Sequence, residues 1–164
     1  MNIYLIGMMG SGKSTVGNIL AKKMKRPFVD LDETIERSVG KSITDIFEID
    51  GEDIFRKLES DHLRKVSGSV VSCGGGIILR EENCNFIQEN GVAILLTASM
   101  KELARRLSNS NKRPLLADNN TEETLTNLWL QRQVQYLSTA DMTIETDEKS
   151  AEQISNEILS QLNS

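Results

Sequence analysis

The chain has 164 residues, enough for one domain with a real core and too few for two ordinary ones. Its hydrophobic fraction of 38% suits a soluble globular protein, and no apolar run approaches the ~18 residues that a membrane span requires. The formal net charge is −5 with no lysine or arginine run, which argues against nucleic-acid binding through a broad basic surface; an anionic ligand must be held by local groups.

The opening MNIYLIG has neither a basic region nor a small-residue cleavage site, so a cytoplasmic location is expected. Within it NIYLI (2–6) has the length and apolarity of a strand. After Lys13 the residues Val16, Ile19, Leu20 and Met24 recur at three- and four-residue steps, which predicts a helix to about Lys25, before Pro27. FVDL (28–31) is the next strand. Ile43, Ile46, Phe47 and Ile49, then Ile54, Phe55, Leu58 and Leu63, predict one or two amphipathic helices around Gly51, with His62, the single histidine, on the helix surface. SVVSC (69–73) and VAILLTA (92–98) are strands, and the polar stretch at 108–121, around KRPLL, has loop composition. Leu125, Leu128, Trp129, Val134 and Leu137 mark a long helix, MTIET (142–146) a fifth strand, and Ile154, Ile158, Leu159 and Leu162 a final helix.

Strands that alternate with helices imply parallel pairing, because a parallel neighbour requires a crossover and the crossover is usually a helix. The expected class is three-layer α/β in a single domain, 1–164. Cys73 and Cys84 fit neither a disulfide framework nor a four-ligand metal site and are expected to be reduced and inert.

Gly7, Gly10, Gly12, Lys13, Ser14 and Thr15 match G-x-x-x-x-G-K-[ST] directly after a strand and at the opening of a helix. Glycines let the backbone wrap a phosphate with its N–H groups inward, and the helix N-terminus favours negative charge. Lys13 would reach the β- and γ-phosphates, and the Ser14 hydroxyl would ligate Mg²⁺. Guanine-specific relatives of this motif carry N-K-x-D and D-x-x-G; here NKRP (111–114) lacks the aspartate and D-x-x-G is absent, so ATP is the expected nucleotide.

Enzymes with this loop hold Mg²⁺ with the loop hydroxyl and an acid at the end of another strand. VVSCGGG and VAILLTAS end without one, and outside the C-terminal MTIETD only FVDLD supplies acids. Asp30 is therefore the expected metal-side acid. Residues i and i+2 of a strand share a face, so Asp32 would look into the same crevice, further out, where it could accept a hydroxyl proton and orient the oxygen. The alternative is that Asp32 is the N-cap of a helix starting at Glu33. Gly74, Gly75 and Gly76 in succession point to a ligand approaching bare backbone.

Together these segments resemble the shikimate kinase family over essentially the full length. The resemblance rests on the phosphate loop, GKSITDIFEIDGEDIFRKLE (40–59), CGGG (73–76), RPLL (113–116) and QRQVQY (131–136), in this order. It implies phosphoryl transfer from ATP, with Mg²⁺, to the 3-hydroxyl of shikimate, and a five-stranded parallel sheet in the order 2-3-1-4-5. It further implies acceptor-binding helices at about 33–65 and a lid loop at about 108–121. It assigns nucleotide binding to Gly10, Ser11, Gly12, Lys13, Ser14, Thr15, Arg106 and the lid residue Arg113, and metal binding to Ser14 and Asp30. Acceptor binding falls to Asp32, Arg56, Gly75 and Arg132, and catalysis to Lys13, Asp32 and Arg113. Glu59, at i+3 from Arg56, is placed to hold that fork. Val134 stands where the family commonly has proline. A monomer acting on small molecules, without nucleic-acid or membrane partners, is expected. The alternatives are a related small-molecule kinase, such as a gluconate kinase, and an ATP-binding module without transfer.

Overall fold

Five strands lie side by side in the order β2-β3-β1-β4-β5 and every neighbouring pair is parallel. They are β1 (Asn2–Ile6), β2 (Phe28–Asp30), β3 (Val70–Ser72), β4 (Gly91–Thr97) and β5 (Met142–Glu145). The computed structural model describes residues 1–109 and 121–164. Alternation by itself leaves the strand order open; the order found is the one the family resemblance implies.

The central strand β1 is apolar at almost every position because a parallel sheet is covered on both faces. Ile3 and Leu5 pack with Val16 and Leu20 of α1 (Lys13–Met24) and with Ile154 and Ile158 of α8 (Ala151–Leu162). Tyr4 and Ile6 face the other way, into the cluster of Ile87 from α5 (Glu81–Asn90), Leu103 from α6 (Met100–Ser108) and Tyr136 from α7 (Thr121–Thr139). Helix α1 sits tightly on its face: a Cβ at Gly17 would come 2.6 Å from the Phe28 ring and 3.1 Å from Leu5. It ends as expected at Lys25, whose backbone is left-handed and whose N–H bonds the Ala21 and Lys22 carbonyls, before Pro27.

Several expectations are corrected. Helix α2 (Leu31–Val39) begins two residues earlier than Glu33, and its N-cap is Asp30, whose carboxylate accepts the Glu33 N–H. The strand ends at Asp30 and Asp32 lies in the first helical turn, so the capping role considered for Asp32 belongs to Asp30. The 43–63 region divides into α3 (Ile43–Asp45), a π-helical turn (Ile46–Asp50) and, after Gly51, α4 (Glu52–Leu63). Ile49 and Ile54 are exposed despite their apolar spacing, as are Val134 and Leu137 on α7. His62 is buried rather than superficial, with Nδ1 2.8 Å from the Leu58 carbonyl, because α4 turns that face inward with Phe55, Glu59 and Leu63. Helices α5 and α6 carry too few buried apolar residues to have shown a long periodic stripe; Ile87, Leu103 and Leu107 do most of their apolar anchoring. The expected lid, apart from its two ends, lies outside the described residues, and so does Arg113. Among the described residues no helix is long and apolar enough to cross a membrane.

Candidate active site

The carboxyl ends of the strands face one crevice, where open parallel sheets bind ligands. The loop leaving β1 holds its shape through glycines. Gly7, Gly10 and Gly12 have φ of 142°, 81° and 93°, a region that side chains disfavour, and a Cβ at Gly7 would also overlap the Leu96 carbonyl. Helix α1 has no side-chain cap at Gly12, which leaves its first N–H groups for an anion. Lys13 is buried, its Nζ 2.9 Å from both the Gly7 and the Met8 carbonyl oxygens. Ser11 is buried within the loop, and Ser14 and Thr15 are exposed at its end.

Ser14 donates to Asp30 at 2.5 Å and lies 3.1 Å from the Ser72 hydroxyl, so loop, β2 and β3 bring three side-chain oxygens together. On the other flank Arg106 donates to the Gly10 carbonyl at 3.2 Å and to the Thr146 hydroxyl at 3.0 Å. Glu102 anchors the same guanidinium at 2.9 Å, and bonds from Arg105 and Arg106 hold its carboxyl down at about 2. Arg106 is thus tied to the glycine loop after β1.

The second half of the crevice is made of side chains. Arg56 donates to Glu59 at 2.6 Å and to Glu52 at 3.3 Å, and its guanidinium lies 5.8 and 5.2 Å from the Phe47 and Phe55 ring centres. These contacts fix a fork that would otherwise sample many rotamers. Glu59 is 1% exposed; burial raises its carboxyl above the ordinary range, opposed by the charge and hydrogen bond of Arg56 and assisted by the negative charge of Asp32. Burial likewise pushes the Cys73 thiol up, which fits the expectation of an inert cysteine.

The glycine turn explains why these groups sit together. A Cβ at Gly74 would lie 2.7 Å from Glu59 Oε1 and 2.9 Å from Asp32 Oδ1, and one at Gly76 would overlap the Arg56 guanidinium. Two of the three glycines therefore make room for the protein's own side chains. Gly75 is different: the nearest atoms to a Cβ there would be the Tyr136 hydroxyl at 3.6 Å, Arg132 Nη1 at 3.7 Å and the Gly7 carbonyl oxygen at 3.7 Å, all at ordinary contact distance. At this position the glycine turn after β3 approaches the loop after β1.

The family model for shikimate kinase matches residues 9–163. A shikimate kinase of Persephonella marina is 44% identical over 164 residues, covering 98% of each chain, and one of Geobacter sulfurreducens is 43% identical over 96% of this chain and 88% of its own. The chain belongs to the shikimate kinase family. A solved shikimate kinase from Acinetobacter baumannii in complex with shikimate superposes with a TM-score of 0.94 at 36% identity, over 99% of this chain and 92% of that one. A deoxyadenosine kinase from M. mycoides with bound dATP shares the fold at a TM-score of 0.65 and 16% identity.

In this member of the shikimate kinase family Asp32, Arg56, Gly75 and Arg132 gather around the glycine turn, and Lys13, Ser14 and Asp30 gather at the loop after β1. Asp30 and Asp32 do share the crevice, though not by strand alternation: Asp30 closes the strand and Asp32 projects from the first turn of α2. Residue patterns did not single out Phe47 and Phe55 as supports of Arg56, Glu102 and Thr146 as supports of Arg106, or Tyr136. Tyr136 closes the QRQVQY segment that carries part of the family resemblance, and it stands four residues after Arg132 on the same helix.

Proposed function

We propose that this member of the shikimate kinase family transfers the γ-phosphoryl group of ATP to the 3-hydroxyl of shikimate, giving shikimate 3-phosphate and ADP on the route to chorismate and the aromatic amino acids. The observation that carries the reading is the gathering of two carboxylates, Asp32 and the Arg56-bound Glu59, and two guanidinium groups, Arg56 and Arg132, around a glycine turn that touches the phosphate loop. Shikimate presents a planar carboxylate on one side and hydroxyls on the other, and guanidinium forks match carboxylates in bidentate fashion. Arg56 and Arg132 take the carboxylate, and the bare Gly75 backbone lets the ring approach.

Asp32 orients the 3-hydroxyl for in-line attack and receives its proton. Because phosphoryl-transfer transition states are mostly loose, positioning is the larger part of that role and proton removal comes late. Lys13 leaves the loop carbonyls for the phosphate oxygens when ATP enters and stabilises charge on the transferring group. The backbone of Gly10, Ser11, Gly12, Ser14 and Thr15 cradles the phosphates, Arg106 flanks the nucleotide, and Arg113 closes over the transfer from the lid and keeps water out.

The oxygens around Ser14 fit Mg²⁺, an ion that takes one or two carboxylates, keeps several waters and binds substrate phosphates. Ser14 and Asp30 would hold it, Asp30 through its water shell, and when bound it neutralises charge on the β- and γ-oxygens. The same proposal treats residues 1–164 as one monomeric cytoplasmic kinase unit, with acceptor helices at about 33–65 and a lid at about 108–121.

An acceptor panel read by ADP release tests the function. Strong, shikimate-dependent release with none on gluconate is expected. Turnover on gluconate and none on shikimate would replace the acceptor, and normal ATP binding with no acceptor phosphorylated would leave a nucleotide-binding module.

A further inference from the structure

One side chain without a role so far joins the two halves of the crevice. Tyr136 is fully buried on the inner face of α7, one helical turn beyond Arg132, and its hydroxyl donates to the Gly75 carbonyl at 2.5 Å. The same hydroxyl, Arg132 Nη1 and the Gly7 carbonyl oxygen are the three nearest groups to the side-chain position at Gly75. The ring is held as well: it stacks on Trp129 at 6.0 Å with 16° between planes, and Trp129 lines a small cavity with Met8 of the phosphate loop, Leu96 and Leu103. A phenylalanine would fill this apolar space, whereas a buried phenol is costly unless its hydroxyl is satisfied. Burial pushes that hydroxyl up to about 12 and the adjacent Arg132 opposes the rise, in keeping with a guanidinium set against the phenol oxygen.

We infer that Tyr136 is a positioning residue for the acceptor: by bonding the Gly75 carbonyl it locks the glycine turn to α7, and it lays Arg132 across the phenol oxygen so that the fork faces the acceptor's carboxylate. The inference rests on the reading of the site as one that takes shikimate. Tyr136 touches neither substrate nor the transferring group; it acts through Gly75 and Arg132.

The test is Tyr136→Phe, assayed with shikimate and with shikimate methyl ester, which lacks the negative charge that Arg132 would hold. For shikimate, KM is expected to rise about tenfold, the size of one lost buried hydrogen bond, while kcat and the KM for ATP stay within about threefold. With the ester the variant and the wild type should differ by less than about twofold in kcat/KM, a selectivity that general loosening of the fold would not produce. In an Arg132→Ala background, adding Tyr136→Phe should raise the KM for shikimate by less than about threefold, the part carried by the Gly75 bond alone. An unchanged KM for shikimate in Tyr136→Phe, an equal loss with acid and ester, or a full additional loss in the Arg132→Ala background overturns the proposal. Failure of the wild type to phosphorylate shikimate is a separate result that removes the underlying reading before any variant is compared. Should Tyr136→Phe fail to fold, the wild-type sequence labelled with 3-fluorotyrosine gives the answer, its Tyr4 line assigned through Tyr4→Phe. Shikimate is expected to shift the Tyr136 fluorine line and the ester to shift it less than half as far, whereas a line unmoved by shikimate overturns the proposal.

Discussion

The phosphate loop and the proposed acceptor pocket meet at Gly75, yet they are made of different material. The phosphate side is mostly backbone, one contiguous stretch from 7 to 15 whose shape is set by three glycines with positive φ. The acceptor side is side chains gathered from separate elements: Asp32 from α2, Arg56 and Glu59 from α4, and Arg132 and Tyr136 from α7, around the turn after β3. A site built of backbone should fail by disturbing the fold. One built of converging side chains should fail by losing its acceptor while the nucleotide still binds.

The sharpest way to separate the two halves is at the paired acids. Asp32→Asn is expected to lower kcat by about 10³-fold, within the range for a group that orients and accepts a proton, with ATP affinity nearly intact. Asp30→Asn should instead raise the Mg²⁺ concentration for half-maximal rate by about tenfold. Rates measured across a Mg²⁺ titration decide this, and equal, mild effects of both substitutions would reject the division of labour.

Next in size is Gly76→Ala. Its methyl group would occupy the space of the Arg56 guanidinium, and moving that fork is expected to cost about 10²-fold in kcat/KM for shikimate, with the KM for ATP unchanged. On the phosphate side, Gly7→Ala meets the Leu96 carbonyl and a φ of 142°, so it should destabilise the whole protein. A loss of about 3 kcal/mol, or roughly 6–12 °C in Tm by calorimetry, is expected for a chain of this length. If Gly76→Ala lowered Tm as much as Gly7→Ala while leaving shikimate affinity alone, the contrast between the halves would be lost.

The smallest effect concerns Glu59. Its folded carboxyl lies above the ordinary 4.5, so between those values the folded protein keeps a proton that the unfolded chain has released. The stability this group contributes is complete below about 4.5 and declines as the pH rises through the folded value. Glu59→Gln removes that slope, and in Tm measured against pH the variant should gain on the wild type as the pH rises through this window.

What the chain discloses follows the same division. The loop at 7–15 is legible because its chemistry is local, and β1 has the expected bounds because both of its faces are buried. The proposed acceptor site is not local: Arg56, Gly75 and Arg132 are drawn together by the strand order, which alternation does not determine and which the family resemblance alone implies. Strand alternation predicts Asp30 and Asp32 in one crevice only if a strand runs through both. The capping carboxylate of Asp30 instead starts α2 there, and the first turn carries Asp32 to the same side. The run of three glycines signalled close approach, but nothing in the sequence around it shows that Glu59, Asp32 and Arg56 fill two of the three spaces. His62 looked superficial because a lone histidine on an amphipathic helix gives no sign of which edge turns inward, and here it is tucked against the Leu58 carbonyl.

The most direct test of the central claim is to identify the product by ³¹P NMR after incubation of the chain with ATP, Mg²⁺ and shikimate. A single new phosphomonoester, coupled to the proton on carbon 3 of shikimate and growing in step with ADP, is the predicted result. A phosphate on a different hydroxyl, or ADP formed with inorganic phosphate alone while shikimate stays unmodified, would contradict the account.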